Sequence, residues 1–290
     1  MEPKQPRLNK IKVIIPFFNA GDFLETCINS VLTQNYSNYE VLFIDDCSTD
    51  GSYDKIPACT IKTDEAGKPV YDEKGEPIIV DSHPILKVTK CLNVVAWRSS
   101  VRNTALRNIH NGIMNFCTDP DDIVVLLDGD DSFIGRGALS YINDFYNQNE
   151  NWLSWGSCKW SNGGKDFSSA YSEEEFKNIR KAPFRISHLR TFRAGLYHQI
   201  GKQDTEFKCM KDENGEYFLS SYDTAIFYPL LELAGFEKSK WNSKPLYFYN
   251  LHQNNDHNVN QELQWSVHKQ VLNKPHFKKI NSYKDDNVTL

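Results

Sequence analysis

Short apolar runs alternate with amphipathic segments along the first half of the chain. Residues 11–18 (IKVIIPFF) form an apolar run with a proline near its end, which is typical of a strand buried on both faces. The apolar positions that follow recur at the spacing of one helix face: Leu24, Cys27, Ile28, Val31 and Leu32. Residues 39–44 form a second apolar run that ends in turn-forming residues, so the pattern predicts β-α-β-α and a parallel sheet.

The same alternation continues to about residue 145. It predicts strands over 85–92 and 122–127. A helix is predicted from about Ser100, with these residues on its buried face: Val101, Ala105, Leu106, Ile109 and Ile113. Another helix carries Leu139, Ile142 and Phe145 inward, which completes the pattern of an α/β domain.

The second half of the chain is less regular. Strands are predicted at 152–160, 188–192 and 246–250, and a helix at 222–233 whose internal Pro229 indicates a kink or an early end. Residues 58–84 read as a hairpin or flap inserted in the domain. The prediction is one domain over 1–273, made of a half at 11–135 and a half at 136–273, followed by a polar, loosely held tail at 274–290.

Composition and charge narrow the class of protein. The 290 residues carry a net charge of −5, which argues against a nucleic-acid binder with a basic stripe. The 7 cysteines include no CxxC pair, and this usage is typical of free thiols in a reducing compartment. Neither a signal peptide nor a window of ~18 apolar residues is visible, so we expect a soluble cytoplasmic protein.

The strongest chemical feature is the sequence Asp128-Gly129-Asp130-Asp131 at the end of a predicted strand. Side chains at i and i+2 of an extended chain point the same way, so Asp128 and Asp130 are predicted to converge on one cation. Mg²⁺ or Mn²⁺ would offset the repulsion between these carboxylates, and Gly129 would let a pyrophosphate approach the backbone. The alternative interpretation is a solvated acidic turn.

Two further polar clusters follow predicted strands or open a predicted helix. Because ligands of open α/β sheets bind outside the carboxyl ends of strands, Asp45 or Asp46 could accept a hydrogen bond from a nucleobase. The alternative is that Asp46, with its neighbours Ser48 and Thr49, caps the next helix. Arg102, at a helix start, suits a phosphate, although a surface arginine is the simpler interpretation.

The order of these motifs resembles the amino-terminal half of family 2 glycosyltransferases. The resemblance covers about residues 11–135 and rests on five motifs in sequence: Ile14–Asn19, Ser30–Gln34, Asp45–Ser52, Arg102-Asn103 and Leu127–Asp131. It implies a GT-A fold, with a Rossmann-like, mostly parallel central sheet flanked by helices and a smaller mixed carboxyl-terminal region on the acceptor side. It also implies a nucleotide-sugar donor and a Mn²⁺ or Mg²⁺ cofactor.

The resemblance also implies roles for individual residues. Pro16, Phe17 and Asn19 would border the nucleotide pocket. Asp45 or Asp46 would touch the base, and Arg102 would contact the nucleotide. The diphosphate and the metal would be contacted by the 128–131 segment: Asp128, Gly129, Asp130 and Asp131. Cys47 departs from the family pattern, which usually has glycine there.

In the second half, Asp223 matches the catalytic base of inverting members, which often follows a glutamate that is here Tyr222. The segment Tyr249–His252 resembles a family segment in which Asn250 is usually arginine. His252 would then complete the metal shell or contact the diphosphate, with His257 as a second candidate. The alternative interpretation of Asp223 is a helix-start aspartate stabilised by the helix dipole.

On the acceptor side the candidates are two tryptophans and two arginines: Trp155, Trp160, Arg190 and Arg193. The predicted activity is metal-dependent, inverting transfer of a hexose from a UDP-sugar, such as UDP-glucose or UDP-galactose, to a hydroxyl of a glycan or protein. A sugar nucleotidyltransferase would show a Gly-rich loop after the first strand, which is absent from this sequence. A catalytically inactive nucleotide-sugar- or carbohydrate-binding module is the other alternative.

Overall fold

The computed structural model describes residues 7–56, 94–253, 255 and 260–284, with 59–61, 70, 73 and 79–82. The predicted strand at 85–92, most of the 58–84 flap and His257 lie outside the described residues. Within this flap, the described strands 59–61 and 79–82 pair antiparallel.

One sheet of ten strands crosses the whole domain, in the order β4-β3-β5-β2-β1-β6-β9-β8-β10-β7. Its strands are β1 Ile11–Phe17, β2 Tyr39–Asp45, β3 Cys59–Ile61, β4 Ile79–Ser82, β5 Val94–Arg98, β6 Ile123–Leu126, β7 Ser132–Phe133, β8 Leu153–Trp160, β9 Ser187–Arg193 and β10 Ser239–Tyr249. Strands β3, β5, β2, β1 and β6 are parallel, whereas β9 pairs antiparallel with both β6 and β8. The predicted α/β class with a mostly parallel central sheet is therefore confirmed.

Seven helices accompany the sheet in the described residues. They are α1 Phe23–Leu32, α2 Thr104–Phe116, α3 Ala138–Asn149, α4 Glu173–Phe176, α5 Ala194–Gln203, α6 Tyr222–Lys238 and α7 Gln261–Leu272. The apolar faces of α1 and α3 pack on one side of the sheet against Ile11, Val13 and Ile15. Helices α2, α5 and α6 pack on the other side, where Ile14 points, so alternate residues of β1 enter two separate cores.

This arrangement places the functional motifs at one edge of the sheet. Strands β1, β2 and β6 run in parallel, with Ile11 beside both Tyr39 and Ile123. Their carboxyl ends therefore share an edge, and the loops that follow them meet there.

Two local predictions need correction. Val101 is 48% exposed because α2 begins only at Thr104, so Val101 does not belong to its buried face. The helix at 222 passes through Pro229 and extends to Lys238, with its irregularity at Gly235, where φ is +71°.

The predicted loosely held tail is also corrected, for its described part. Residues 274–284 lie against the body of the domain: Ile280 N–H donates to Leu233 O at 3.0 Å, and Tyr283 Oη donates to Asp121 at 2.6 Å. No helix among the described residues is both long and apolar enough to cross a bilayer.

Candidate functional site

Residues 128–131 form a tight turn, called here the DGDD turn, directly after β6. Asp131 N–H donates to Asp128 O at 3.0 Å, and Gly129 N–H donates to Pro16 O at 3.2 Å. A Cβ on Gly129 would lie 2.4 Å from the Cβ of Phe17, so only glycine fits between the ends of β1 and β6. The backbone therefore turns at these residues and is not extended, and the convergence of Asp128 and Asp130 on one cation stays a prediction.

Asp128 faces two tyrosines from the second half of the chain. Tyr222 Oη lies 2.8 and 2.9 Å from its two carboxylate oxygens, and Tyr247 Oη lies 3.4 Å from Oδ2. Burial, and after it the charge of Asp130, raises the pKa of Asp128 to about 6. The carboxylate is therefore held in place by phenol donors in a strongly acidic cluster.

Asp130 faces a different group. Its Oδ2 lies 2.9 Å from His252 Nε2 and 3.4 Å from Asn255 Nδ2. The His252 ring stacks on Phe23, with centroids 4.9 Å apart, and its hydrogen bond to Asp130 raises the pKa of His252. Asp130 and His252 are thus in direct contact, and the predicted role of His252 at the diphosphate or in the metal shell stays a prediction.

Asp131 is a structural residue. It is 1% exposed, and its carboxylate accepts hydrogen bonds from Tyr247 Oη at 2.6 Å and Asn250 N–H at 2.7 Å. Asn250 also donates through Nδ2 to Asp130 O. Asn250, which stands where the family usually has arginine, therefore stabilises the turn. These bonds engage both carboxylate oxygens of Asp131, whose role as a metal ligand stays a prediction, and no cluster of three acidic, histidine or cysteine ligands occurs among the described residues.

Asp46 caps α2. Its carboxylate accepts four hydrogen bonds, which is the capacity of its two oxygens. The donors are Asn103 N–H at 2.6 Å, Asn108 Nδ2 at 2.9 Å, Arg102 Nε at 2.9 Å and Thr104 N–H at 3.1 Å. Asp46 therefore caps α2 and not the short helix at Ser52–Lys55 that follows its own turn, and its contact with a nucleobase stays a prediction.

Asp45 is also turned inward. It is fully buried, accepts from Ser48 N–H at 2.9 Å and has Arg98 Nε 3.2 Å from Oδ2. Burial raises the pKa of Asp45. This carboxylate shapes the turn after β2, and its buried Oδ2 has no hydrogen-bond partner among the described residues, so the contact of Asp45 with a base stays a prediction.

Arg102 remains available for a ligand because its side chain is 52% exposed. Its guanidinium carbon lies 3.4 Å from the ring centroid of Phe18, which is itself 40% exposed. The carboxylate of Asp46 orients this guanidinium. Phe18 and Arg102 therefore present an aromatic ring and a cation next to each other. Arg102 is thus a surface arginine paired with Asp46, and its contact with the nucleotide stays a prediction.

The other residues predicted to border the nucleotide divide into two groups. Pro16 and Phe17 are buried strand residues that pack against Gly129, and their place at the border of the nucleotide pocket stays a prediction. Asn19 is exposed and links two loops, since its N–H donates to Ser48 Oγ and its Oδ1 accepts from Thr49 N–H.

Asp223 lies at the start of α6, next to Tyr222 and hence to Asp128. Its Oδ2 accepts a hydrogen bond from Arg190 Nη2 at 2.8 Å, and Oδ1 accepts from Thr224 N–H. Arg190 is 5% exposed and also donates to Tyr222 Oη at 3.2 Å. Arg190 is therefore a buried hydrogen-bond donor to Asp223 and Tyr222. This corrects its assignment as a direct contact to the sugar acceptor.

Trp155 and Arg193 do not belong to the site. Trp155 is 2% exposed and donates to Ser169 O, so its ring is part of the core. Arg193 pairs with Ile123, at the end of β6 away from Asp128, and donates to Asn9 and Asp121 O. Trp160 is partly buried, with its ring 5.4 Å from that of Tyr249.

Several important residues were not predicted: Phe18, Phe23 and Tyr247. Phe18 carried a signal, since it ends the first apolar run just beyond the buried strand. Tyr247 carried none, because an apolar residue inside β10 reads as core and its hydroxyl contact with Asp128 and Asp131 depends on tertiary structure.

Comparison with known sequences identifies the first motifs independently. The family model described as "Glycosyl transferase family 2" matches residues 12–65. The putative teichuronic acid biosynthesis glycosyltransferase TuaG of Bacillus subtilis (strain 168) is 36% identical over 77 residues, 27% of this chain and 30% of that protein. The poly(ribitol-phosphate) beta-glucosyltransferase of Bacillus spizizenii is 26% identical over 156 residues, 53% of this chain and 20% of that protein. These matches span less than a third of either relative.

Solved structures extend the similarity of fold to most of the chain. S. aureus TarS 1-349 superposes with a TM-score of 0.57 at 16% identity, covering 90% of this chain and 64% of that chain. The mannosyltransferase PcManGT from Pyrobaculum calidifontis, in complex with GDP-Man and Mn²⁺, gives a TM-score of 0.52 at 14% identity. That match covers 90% of this chain and 61% of the other, so the common fold includes both halves.

Proposed function

Because this chain belongs to glycosyltransferase family 2 and has the GT-A fold, we propose that it transfers a hexose from a UDP-sugar to an acceptor hydroxyl with inversion. The observation that carries this proposal is the contact of Tyr222 with Asp128. It brings the start of α6, and with it Asp223, beside the acidic turn that would face the donor diphosphate. The acceptor in this proposal is a glycan or a protein hydroxyl.

Asp223 acts as the base of the proposed reaction. Its carboxylate takes the proton of the acceptor hydroxyl as that oxygen attacks C1 of the sugar and the nucleoside diphosphate leaves from the opposite face. Asp223 suits this role because its side chain is 25% exposed while Arg190 holds one of its oxygens at 2.8 Å. Orientation of the base before the substrate binds lowers the entropic barrier to reaction.

Phe18 and Arg102 form the proposed platform for the nucleotide. The exposed ring offers a face on which a uracil can stack, and the adjacent guanidinium offers donors to a phosphate. A TarS structure solved in complex with UDP-GlcNAc, with a TM-score of 0.56 to this fold, supports a nucleotide-sugar ligand.

Asp130 and His252 form the proposed metal site. A carboxylate oxygen and an imidazole nitrogen 2.9 Å apart are a donor set that suits Mn²⁺ or Mg²⁺ together with phosphate oxygens. Asp128 adds negative charge nearby, and the Mn²⁺ in the PcManGT complex supports the use of a divalent cation. When bound, the cation would neutralise charge on the leaving diphosphate.

The test is a thermal-shift and calorimetric screen of UDP-, GDP-, TDP- and CMP-sugars, each with and without Mn²⁺. A ligand present at ~100 times its Kd stabilises the folded state by about 2.7 kcal/mol, which is readily measured. We expect a Mn²⁺-dependent shift with UDP-sugars that Asp130→Ala and His252→Ala abolish.

Turnover separates an enzyme from an inactive binding module. Asp223→Asn is expected to keep the donor shift and to lose transfer by at least about a hundredfold, since a general base contributes 10²–10⁴-fold. Donor binding without turnover by the unmodified protein would favour the module, and a full rate in Asp223→Asn would place the base elsewhere.

A further inference from the structure

Two large apolar side chains are exposed beside the start of α6. Leu219 is 63% exposed and lies just before the first residue of α6, and Trp265, on α7, is 66% exposed. Most exposed apolar residues are scattered singly and need no explanation, but Leu219 and the neighbour of Trp265, Gln264, both lie close to the start of α6, which carries the candidate base.

The residue next to Trp265, which carries the exposed indole, is hydrogen-bonded to the start of α6. Ser221 Oγ donates to Gln264 O at 3.2 Å, and this bond ties the start of α6 to the residue before Trp265. Val267 and Val271 of α7 are buried at 2% and 1% exposure, so the helix is anchored by its opposite residues. Trp265 therefore has a defined position relative to Asp223.

A histidine, His268, lies near the indole and interacts electrostatically with Asp223. The His268 ring centroid is 6.1 Å from that of Trp265 and 6.1 Å from that of Tyr228, and 6.3 Å from that of Phe184. Burial lowers the pKa of His268, while the charge of Asp223 acts in the opposite direction. The ring is therefore neutral at pH 7 and can both donate and accept a hydrogen bond.

The start of α6 thus lies between the donor side and α7, since Tyr222 contacts Asp128 and Ser221 contacts Gln264. An acceptor whose hydroxyl reaches Asp223 must extend away from the donor, toward α7. Resting on the proposed function, we propose that Trp265, His268 and Leu219 form the acceptor subsite, and that its ligand is a pyranose ring. The apolar face of the sugar stacks on Trp265, and a hydroxyl bonds to His268.

The test measures saccharide binding without any donor. The probes are methyl β-D-glucopyranoside, methyl β-D-galactopyranoside and methyl N-acetyl-β-D-glucosaminide, followed by saturation-transfer NMR and by tryptophan fluorescence. We expect at least one probe to bind and to alter the emission of the exposed Trp265. Trp265→Ala should weaken this binding by up to about tenfold, the range of an aromatic stacking contact.

Two variants control for nonspecific effects. Trp265→Phe keeps an aromatic face and should retain most of the binding while losing the fluorescence response. Leu8→Ala removes an equally exposed apolar side chain, 56% exposed, at the amino-terminal end of β1, and should change nothing.

Equal binding by Trp265→Ala and the unmodified protein would overturn the subsite. So would binding of n-octanol with no binding of any methyl glycoside, which would indicate an apolar partner instead of a sugar. Failure of the proposed function is distinguishable, because it shows as loss of nucleotide-sugar binding in the unmodified protein and leaves the donor-free titration unchanged.

Discussion

At the scale of single residues, Arg190 decides the geometry of the proposed chemistry. Its guanidinium is buried and donates to Asp223 and Tyr222, and one buried donor, Nε, has no hydrogen-bond partner among the described residues. The neighbouring carboxylates raise the pKa of Arg190 above its already high value, so the side chain stays charged. Arg190 is thus a positioning residue that balances the negative charge of Asp223 and Asp128.

Replacing Arg190 should therefore affect transfer more than donor binding. In Arg190→Met we expect kcat to fall about ten- to a hundredfold because Asp223 loses its fixed orientation, with the UDP-sugar Kd within about threefold of its original value. Arg190→Lys keeps the charge but not the planar fork, and should recover part of the rate. Steady-state kinetics and calorimetry of the two variants measure this, and equal rates in both would contradict a positioning role.

The sequence could predict which residues lie close together at this site. It could not predict which of their polar atoms are left without a hydrogen bond inside the protein. Asp46 illustrates the limit, since capping and base recognition require the same residue type at the same place after β2. Only the tertiary contact with Asn108 and Arg102 shows that its carboxylate is fully bonded. Asp130 and His252 lie in contact, and the resemblance to the family had placed both near the diphosphate, which stays a prediction.

At the scale of elements, the carboxyl-terminal segment is held by one buried ion pair. Arg180 Nε and Nη2 donate to Glu232 at 2.7 and 2.8 Å, and both side chains are under 10% exposed. Arg180 also donates to the carbonyls of Val271 and Lys274, and Glu232 accepts from Phe277 N–H. The pair thereby joins α6 to the end of α7 and the segment after it.

Breaking this pair should destabilise the fold strongly. Glu232→Leu leaves the Arg180 charge buried without a counterion, and we expect the free energy of unfolding to fall by about 3–5 kcal/mol. The matched control is Lys279→Ala, which removes an exposed ion pair between the same segment and Glu237 and should cost less than about 1 kcal/mol. Urea unfolding measures both, and similar small losses would show that the buried pair is dispensable.

Strands were predicted most accurately where the apolar pattern of the sequence is strongest. Strands β1, β2 and β6 are continuous apolar runs and were located to within a residue or so. Strand β10 is eleven residues long, but only 246–250 was predicted because Lys240, Asn242 and Lys244 interrupt its apolar pattern. Strand β7 has two residues and carries no periodicity at all.

At the scale of the whole molecule, stability should depend on the protonation of Asp122. This residue is 4% exposed, and burial raises the pKa of Asp122 to about 6. The folded state then binds the proton more tightly than the unfolded state, so the contribution of this group to stability declines as pH rises from about 4 to 6.

Asp122→Asn removes that penalty. The variant should be more stable than the original protein by about 1–3 kcal/mol at pH 7.5, the upper value corresponding to two pKa units, and the difference should vanish near pH 4. Urea unfolding at the two pH values measures it. A difference independent of pH would show that the charge of Asp122 is not responsible.

The contacts of the DGDD turn determine when, during synthesis of the chain, its carboxylates acquire their hydrogen-bond donors. In the described part of the chain, every side-chain or backbone donor to the carboxylates of Asp128, Asp130 and Asp131 comes from residues 222–255. A nascent chain that has emerged only as far as β8 holds the three acids without their partners. The three carboxylates therefore acquire their donors only when residues 222–255 have docked, and replacing that segment by one that lacks these donors would leave a turn in the other half without its hydrogen bonds.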